Sequence, residues 1–172
     1  MPRGLMLVAS LLVMSCSHAS ASTPESPPPP PWDMISFTMN SWGAPLTIWN
    51  ILPDGSGGFA EAVHEEGAPP IGPAPMAWHE VPADAGQYAK LVAILDRLPE
   101  VAPDAGVCEN FMTDAPYGTL RLTRGATTTE IAWNSGCMDD DYVAFMSVLG
   151  DANNLISEAG KAQPVSRTDP VP

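Results

Sequence analysis

Three cysteines are the residues of this chain best suited to covalent chemistry, and their positions suggest different roles. Cys16 ends a short apolar run near the N-terminus, whereas Cys108 and Cys137 lie far along the chain. If Cys16 is modified or removed, an even pair remains, and in an oxidising compartment that pair favours a disulfide. A free thiol nucleophile is the alternative, although the chain has no C-x-x-C pair and no cue for an activating base.

Histidines and carboxylates are the next candidates for chemistry. His64 and His79 each precede a glutamate, but neither is followed by a second histidine at the H-E-x-x-H spacing of a zinc site. The acidic run 139–141 lacks the alternating ligands and glycine of a calcium loop, so we predict that it caps a helix. We therefore predict no metal and no cofactor. A carboxylate pair for glycoside hydrolysis stays open, because the separation it needs is set by the fold.

Tryptophan supplies the best candidate for a binding surface. Trp42 lies in a predicted turn, where an exposed ring could stack on a sugar or contact a protein partner. Trp49, Trp78 and Trp133 lie in predicted strands, where a buried position in the core is expected. Trp42 is therefore the one residue that we predict to belong to a binding surface.

Residues 1–15 have the features of a signal peptide. Arg3 precedes a ten-residue apolar run, 5–14, which is shorter than the ~20 residues that a membrane-spanning helix needs. The segment Val13–Cys16 resembles the lipobox of bacterial lipoproteins, and this resemblance implies cleavage before Cys16 and its acylation. Cleavage after the A-x-A site at 19–21 is the alternative, and it would release a soluble periplasmic or secreted protein.

The remaining chain divides by composition. Residues 16–31 form a Pro-rich linker that ends in five consecutive prolines, a sequence that favours stiff polyproline II. Residues 32–163 are long enough for a single ordinary domain, and residues 164–172 are predicted to be a flexible tail.

Within the domain, hydrophobic patterns predict strands followed by a helix, twice over. Asp84 is a predicted N-cap for a helix ending at Leu98, and a second helix follows the run 139–141 as far as about Gly160. The predicted strands are 35–40, 46–52, 59–64, 76–81, 119–123 and 127–133. The fold class is therefore α+β, with an antiparallel sheet of five or six strands, two helices on one face, and the order β-β-β-(β)-α-β-β-α.

Charge narrows the range of partners. With 7 basic and 20 acidic side chains, the formal net charge is −13, which argues against nucleic acid because phosphate binding needs a basic face. Neutral or basic partners are favoured for the same reason.

Several turns carry a resemblance to a protein group. The segments Trp42–Pro45, Asp54–Gly57 and Asp114–Gly118 resemble those of small uncharacterised secreted proteins and lipoproteins of proteobacteria. The resemblance implies a location in the cell envelope and implies no particular reaction.

These observations predict a cell-envelope lipoprotein facing the periplasm, anchored through Cys16. Its domain, stapled between Cys108 and Cys137, would act as a non-enzymatic binding or structural module for an envelope protein or polymer. A periplasmic enzyme-inhibitor-like protein is the alternative. A hydrolase acting through carboxylates or a free thiol is a further one.

Overall fold

The structure, a computed structural model, describes residues 30–67 and 72–171. The predicted signal peptide, Cys16 and most of the linker 16–31 lie outside the described residues. Within the described residues, no helix is both long and apolar enough to cross a membrane.

One antiparallel sheet of seven strands carries two α-helices, so the fold class is α+β. The order of strands across the sheet is β6-β5-β1-β2-β3-β4-β7. The elements along the chain are β1 (Met34–Ser41), β2 (Ala44–Ile51), β3 (Gly57–Ala62), β4 (Met76–Val81), α1 (Ala85–Leu95), a 3-10 turn (Ala105–Val107), β5 (Tyr117–Arg124), β6 (Thr127–Asn134), α2 (Asp140–Lys161) and β7 (Val165–Asp169).

The seventh strand corrects the prediction of five or six. β7 pairs with β4 and lies in the segment 164–172, which the sequence predicted to be a flexible tail. The Arg167 guanidinium lies 4.3 Å from the centre of the Trp78 ring, and Trp78 Nε1–H donates a 2.7 Å hydrogen bond to Asp169. These contacts join residues far apart in the chain, so a local pattern of polar residues gives no sign of the strand.

The core follows from the alternation of apolar residues along the strands. Phe37 of β1 stacks between Trp49 of β2 and Trp133 of β6, with ring centroids 5.3 Å away on each side. Trp49 and Trp133 are buried, as predicted. The buried faces of both helices join this cluster, so one core lies between the sheet and the helices.

The helices begin close to their predicted starts. Asp84 is the N-cap of α1, and its carboxylate accepts hydrogen bonds from the backbone N–H groups of Gly86 and Gln87. The α-helix ends at Leu95 rather than at Leu98, because the last turn tightens: Leu98 N–H bonds the carbonyl of Leu95, three residues back. α2 buries Tyr142, Phe145, Leu149 and Ile156 against the core, whereas Met146 is only partly buried.

Candidate functional site

Trp42 occupies a backbone conformation that is unfavourable for its residue type. Ser41 and Ala44 are paired across the β1–β2 hairpin, and the two residues between them have φ of 51° (Trp42) and 78° (Gly43). Two positive φ angles define a type I′ turn, for which Asn-Gly is the favoured sequence. A non-glycine residue held in the left-handed region costs about 1–3 kcal/mol. Trp42 is nevertheless 63% exposed, so most of its ring lies in water.

A second residue with unfavourable backbone geometry lies beside Trp42. Asp114, in the loop before β5, has φ of 66°, and among the described residues only Trp42 and Asp114 are non-glycine residues with positive φ. Both line one cleft of about 240 Å³, together with Gly43, Ala115, Tyr117 and Asn134. Because such strain concentrates at functional sites, the shared cleft identifies this end of the sheet as the candidate site.

Exposed apolar side chains extend the cleft into a broader surface. This hairpin-end surface consists of Trp42, Phe111, Met112, Tyr117 and Met138, all of them exposed. The segments 110–112 and 136–138 run side by side there, since Met112 N–H bonds the carbonyl of Gly136 and Met138 N–H bonds that of Asn110. Aromatic residues and methionine are the types enriched at protein interfaces.

The predicted disulfide holds this surface together. Cys108 and Cys137 are joined, with their Cα atoms 5.8 Å apart, so the bond ties the segment before β5 to the segment after β6. Both cysteines of the described residues are therefore in a disulfide, and the thiol-nucleophile alternative has no free thiol in this part of the chain.

Asp139 makes a second connection between the segment before β5 and the segment after β6. The prediction that it caps α2 is wrong for its side chain. It occupies the N-cap position but makes no side-chain cap hydrogen bond. Its carboxylate instead accepts hydrogen bonds from Glu109 N–H (2.8 Å) and from the backbone and side-chain N–H groups of Asn110 (3.0 and 2.9 Å). These donors, led by the Glu109 backbone N–H, hold the pKa of Asp139 below its ordinary value.

The sulfurs of Cys108 and Cys137 and a carboxylate oxygen of Asp139 lie within 4.8 Å of one another. A metal would need thiolate ligands at such a site, whereas both sulfurs are consumed by the disulfide. The donors from Glu109 and Asn110 engage both Asp139 oxygens. The cluster therefore has a structural role: it connects the two segments that carry Phe111, Met112 and Met138 of the hairpin-end surface.

The segments that build this surface carry negative charge only. Residues 98–120 include Glu100, Asp104, Glu109 and Asp114, residues 131–150 include the acidic run 139–141, and neither segment contains a lysine or arginine. A partner that meets this surface must therefore tolerate or complement carboxylates.

The remaining candidates from the sequence lie elsewhere. His79 is buried on β4, and its Nδ1–H donates a 2.9 Å hydrogen bond to the carbonyl of Gln163. Trp78, which was expected in the core, is only half-buried, and it lies under Arg167.

Apart from Trp42, the residues that line the cleft, Asp114 and Tyr117 among them, were not predicted as site residues. The sequence signal was the turn Asp114–Gly118, but a turn does not reveal a positive φ at Asp114 or its closeness to Trp42. No protein-family model matches the chain, and a search of curated proteins finds no match either.

Proposed function

We propose that this protein is a non-enzymatic binding module of the bacterial cell envelope, anchored through an acylated Cys16. Its hairpin-end surface contacts an envelope protein with a neutral or basic face. The Pro-rich linker 16–31 holds the domain away from the membrane, and the disulfide keeps the contact surface rigid.

The observation that carries this proposal is the exposed, left-handed Trp42. Burial cannot explain a tryptophan at this position, because most of the ring lies in water. The turn cannot explain it either, because Asn would fit a type I′ turn better. An aromatic side chain kept under strain at the tip of a two-residue hairpin turn is well suited to enter a pocket on a partner, where tryptophan is among the most frequent hot-spot residues.

The size of the cleft supports a macromolecular partner rather than a small ligand. Its volume of about 240 Å³ is below the ~300–1,000 Å³ of typical small-molecule sites. The exposed apolar residues around it extend the contact area well beyond the cleft. Since the formal net charge is −13, a basic or neutral partner face avoids repulsion.

Replacing Trp42 by asparagine is expected to leave the fold at least as stable as the natural protein. Asn removes the unfavourable left-handed Trp and fits the turn, so the free energy of unfolding should rise by up to about 1 kcal/mol. Urea denaturation of both proteins at one pH measures the change.

The matched control is Phe37→Ala, which removes a buried aromatic ring from the same hairpin and should cost about 3–5 kcal/mol. If Trp42→Asn also lowered the free energy of unfolding by more than about 1 kcal/mol, Trp42 would have a structural role. Its exposed, left-handed position would then no longer support a binding function.

An enzyme-inhibitor-like role is the second candidate. The specific observation that favours it is the position of Trp42: it lies on a two-residue turn, and the neighbouring loop is connected to the segment before α2 by the disulfide and by Asp139. A preorganised loop loses little entropy on binding, as a tight inhibitor requires. Both candidates use the same surface, and the identity of the partner distinguishes them.

A further inference from the structure

β6 is an edge strand whose outer side is open. It pairs with β5 alone, and the two strands are joined by a two-residue turn in which Gly125 has φ of 55°. In such a hairpin the pair flanking the turn, Arg124 and Thr127, exchanges hydrogen bonds, and the exchange recurs at every second pair. Thr128, Glu130 and Ala132 therefore direct their backbone N–H and C=O groups away from β5.

These outward groups have no partner within the described part of the chain. The next residue in the same alternation, Asn134, confirms the pattern, since its N–H donates a 2.8 Å hydrogen bond to the Tyr142 hydroxyl. No hydrogen bond between described residues reaches the outward backbone groups of Thr128, Glu130 or Ala132. They form an open row of alternating donors and acceptors, which an added strand could complete.

The two edges of this sheet are protected to different degrees. β7 lies between Pro164 and Pro170, carries Arg167, and meets β4 with an irregular register. Proline, basic residues and bulges are the devices that discourage strand addition. β6 has eight residues, contains no proline or lysine, and keeps an uninterrupted register. The β7 edge therefore has features that discourage strand addition, and the β6 edge lacks them.

A groove runs along the open edge. It has a volume of about 550 Å³, and its lining includes every residue from Thr129 to Asn134. Because consecutive residues of a strand point to opposite faces, a groove lined by all of them follows the edge of the strand rather than a face. Segment 99–105 forms the other wall, with Val101 81% exposed. Trp133, also in the lining, has a buried Nε1–H without an acceptor among the described residues.

We infer that this groove binds an extended, basic polypeptide segment by adding it as a strand to β6. The residues that line the groove include the acidic Glu100, Asp104 and Glu130 and no lysine or arginine. Glu130 is paired with Arg121, whereas Glu100 and Asp104 form no ion pair within the described residues. The charges of Glu100 and Asp104 attract lysine or arginine side chains that alternate along the incoming strand. Charge therefore adds selectivity for basic segments to the affinity of the backbone hydrogen bonds.

A second copy of the chain fits this groove poorly. Antiparallel pairing of two β6 strands about the centre of the open row places Glu130 opposite Glu130, and like charges directly opposite destabilise a sheet. Each copy also has a formal net charge of −13. A basic segment is therefore the occupant that the edge favours.

The experiment uses a seven-residue peptide of alternating lysine and valine with blocked ends, and an acidic peptide in which glutamate replaces lysine. Fluorescence anisotropy at low ionic strength measures the affinity of each peptide for the natural protein. Amide hydrogen exchange, read by NMR, locates the binding. The basic peptide should slow exchange at Thr128, Glu130 and Ala132, whereas Thr129 and Ile131, already bonded to β5, should change little.

Ala132→Pro is the matched variant, because it removes an N–H that makes no bond to β5 and blocks strand addition. Its affinity for the basic peptide should fall by about tenfold or more. Ala132→Thr keeps the N–H and should bind as the natural protein does. Trp42→Asn should also bind normally, so a failure here is distinguishable from a failure of the proposed hairpin-end function.

Three results would overturn the inference. One is equal affinity for the acidic and basic peptides. Another is exchange protection that does not alternate along β6. The third is protection that grows with protein concentration before any peptide is added, which would make a second copy the occupant. If Ala132→Pro fails to fold, the amide exchange pattern along β6 of the natural protein, with and without peptide, still tests the inference.

Discussion

Converting Cys108 and Cys137 together to serine is expected to lower the free energy of unfolding by about 3.5 kcal/mol. The bond closes a loop with a sequence separation of 29 residues, so its loss returns considerable conformational freedom to the unfolded chain. A domain is typically stable by about 5–15 kcal/mol, so the loss is a large share of the total. Urea unfolding of the variant and the natural protein measures it.

The loss should also appear locally. Without the bond, the segment that carries Phe111 and Met112 is held by its hydrogen bonds to 136–138 and by Asp139. We expect limited proteolysis near this segment to become faster. The matched control is the natural protein under reductant, which should lose the same stability, whereas reductant should leave the double variant unchanged. A change below about 1 kcal/mol would show that the hydrogen bonds alone fix the two segments.

Replacing Cys16 by serine is expected to release the protein from the membrane fraction. The proposed anchor depends on acyl chains, each contributing about 0.8 kcal/mol for every buried CH₂ group, and stable anchoring takes more than one chain. The partition between membrane and soluble fractions should therefore reverse. Thermal unfolding of the domain should stay the same, because Cys16 precedes the first strand of the sheet, Met34–Ser41.

Ser17→Ala is the matched control for this prediction, since it alters the neighbouring residue and leaves the acylation site intact. It should remain in the membrane fraction. If Cys16→Ser also remained there, the anchor would be wrong. A soluble natural protein whose mass begins at Ser22 would instead support the alternative cleavage site after Ala21.

The sequence predicted the parts of the fold that are encoded locally. Alternation at Ile35, Phe37 and Met39 predicted β1, and Asp84 followed by the spacing of Tyr88 and Leu91 predicted α1, because both patterns arise from the period of the element itself. The Cys108–Cys137 disulfide was also predictable, from the parity of the cysteines.

Other features depend on contacts between distant residues. β7 pairs with β4, and its Arg167 and Asp169 contact Trp78; a short polar segment reveals none of these contacts. Asp139 has the residue type and position of a helix cap, yet its carboxylate bonds Glu109 and Asn110 instead. Local propensity is a weak guide where a tertiary partner competes for the same group.

The candidate site could be predicted only in part, because it too depends on contacts between residues far apart in the chain. Trp42 could be singled out because a large aromatic residue in a turn is unusual. Its backbone strain, and its closeness to Asp114 and Tyr117, required the hairpin and the loop before β5 to be placed together. The open edge of β6 likewise depends on the order of strands, which no local pattern determines.

The central claim is that the hairpin-end surface binds an envelope protein through Trp42, and photo-crosslinking in bacterial cells tests it most directly. A crosslinking amino acid is placed at Thr113, beside the cleft, or at exposed Ala89 on α1 as the matched control position. The crosslinker at position 113 should yield one discrete adduct that is absent from position 89 and disappears when Trp42→Asn is added. The same adduct from both positions, or an adduct that persists with Trp42→Asn, would contradict the account.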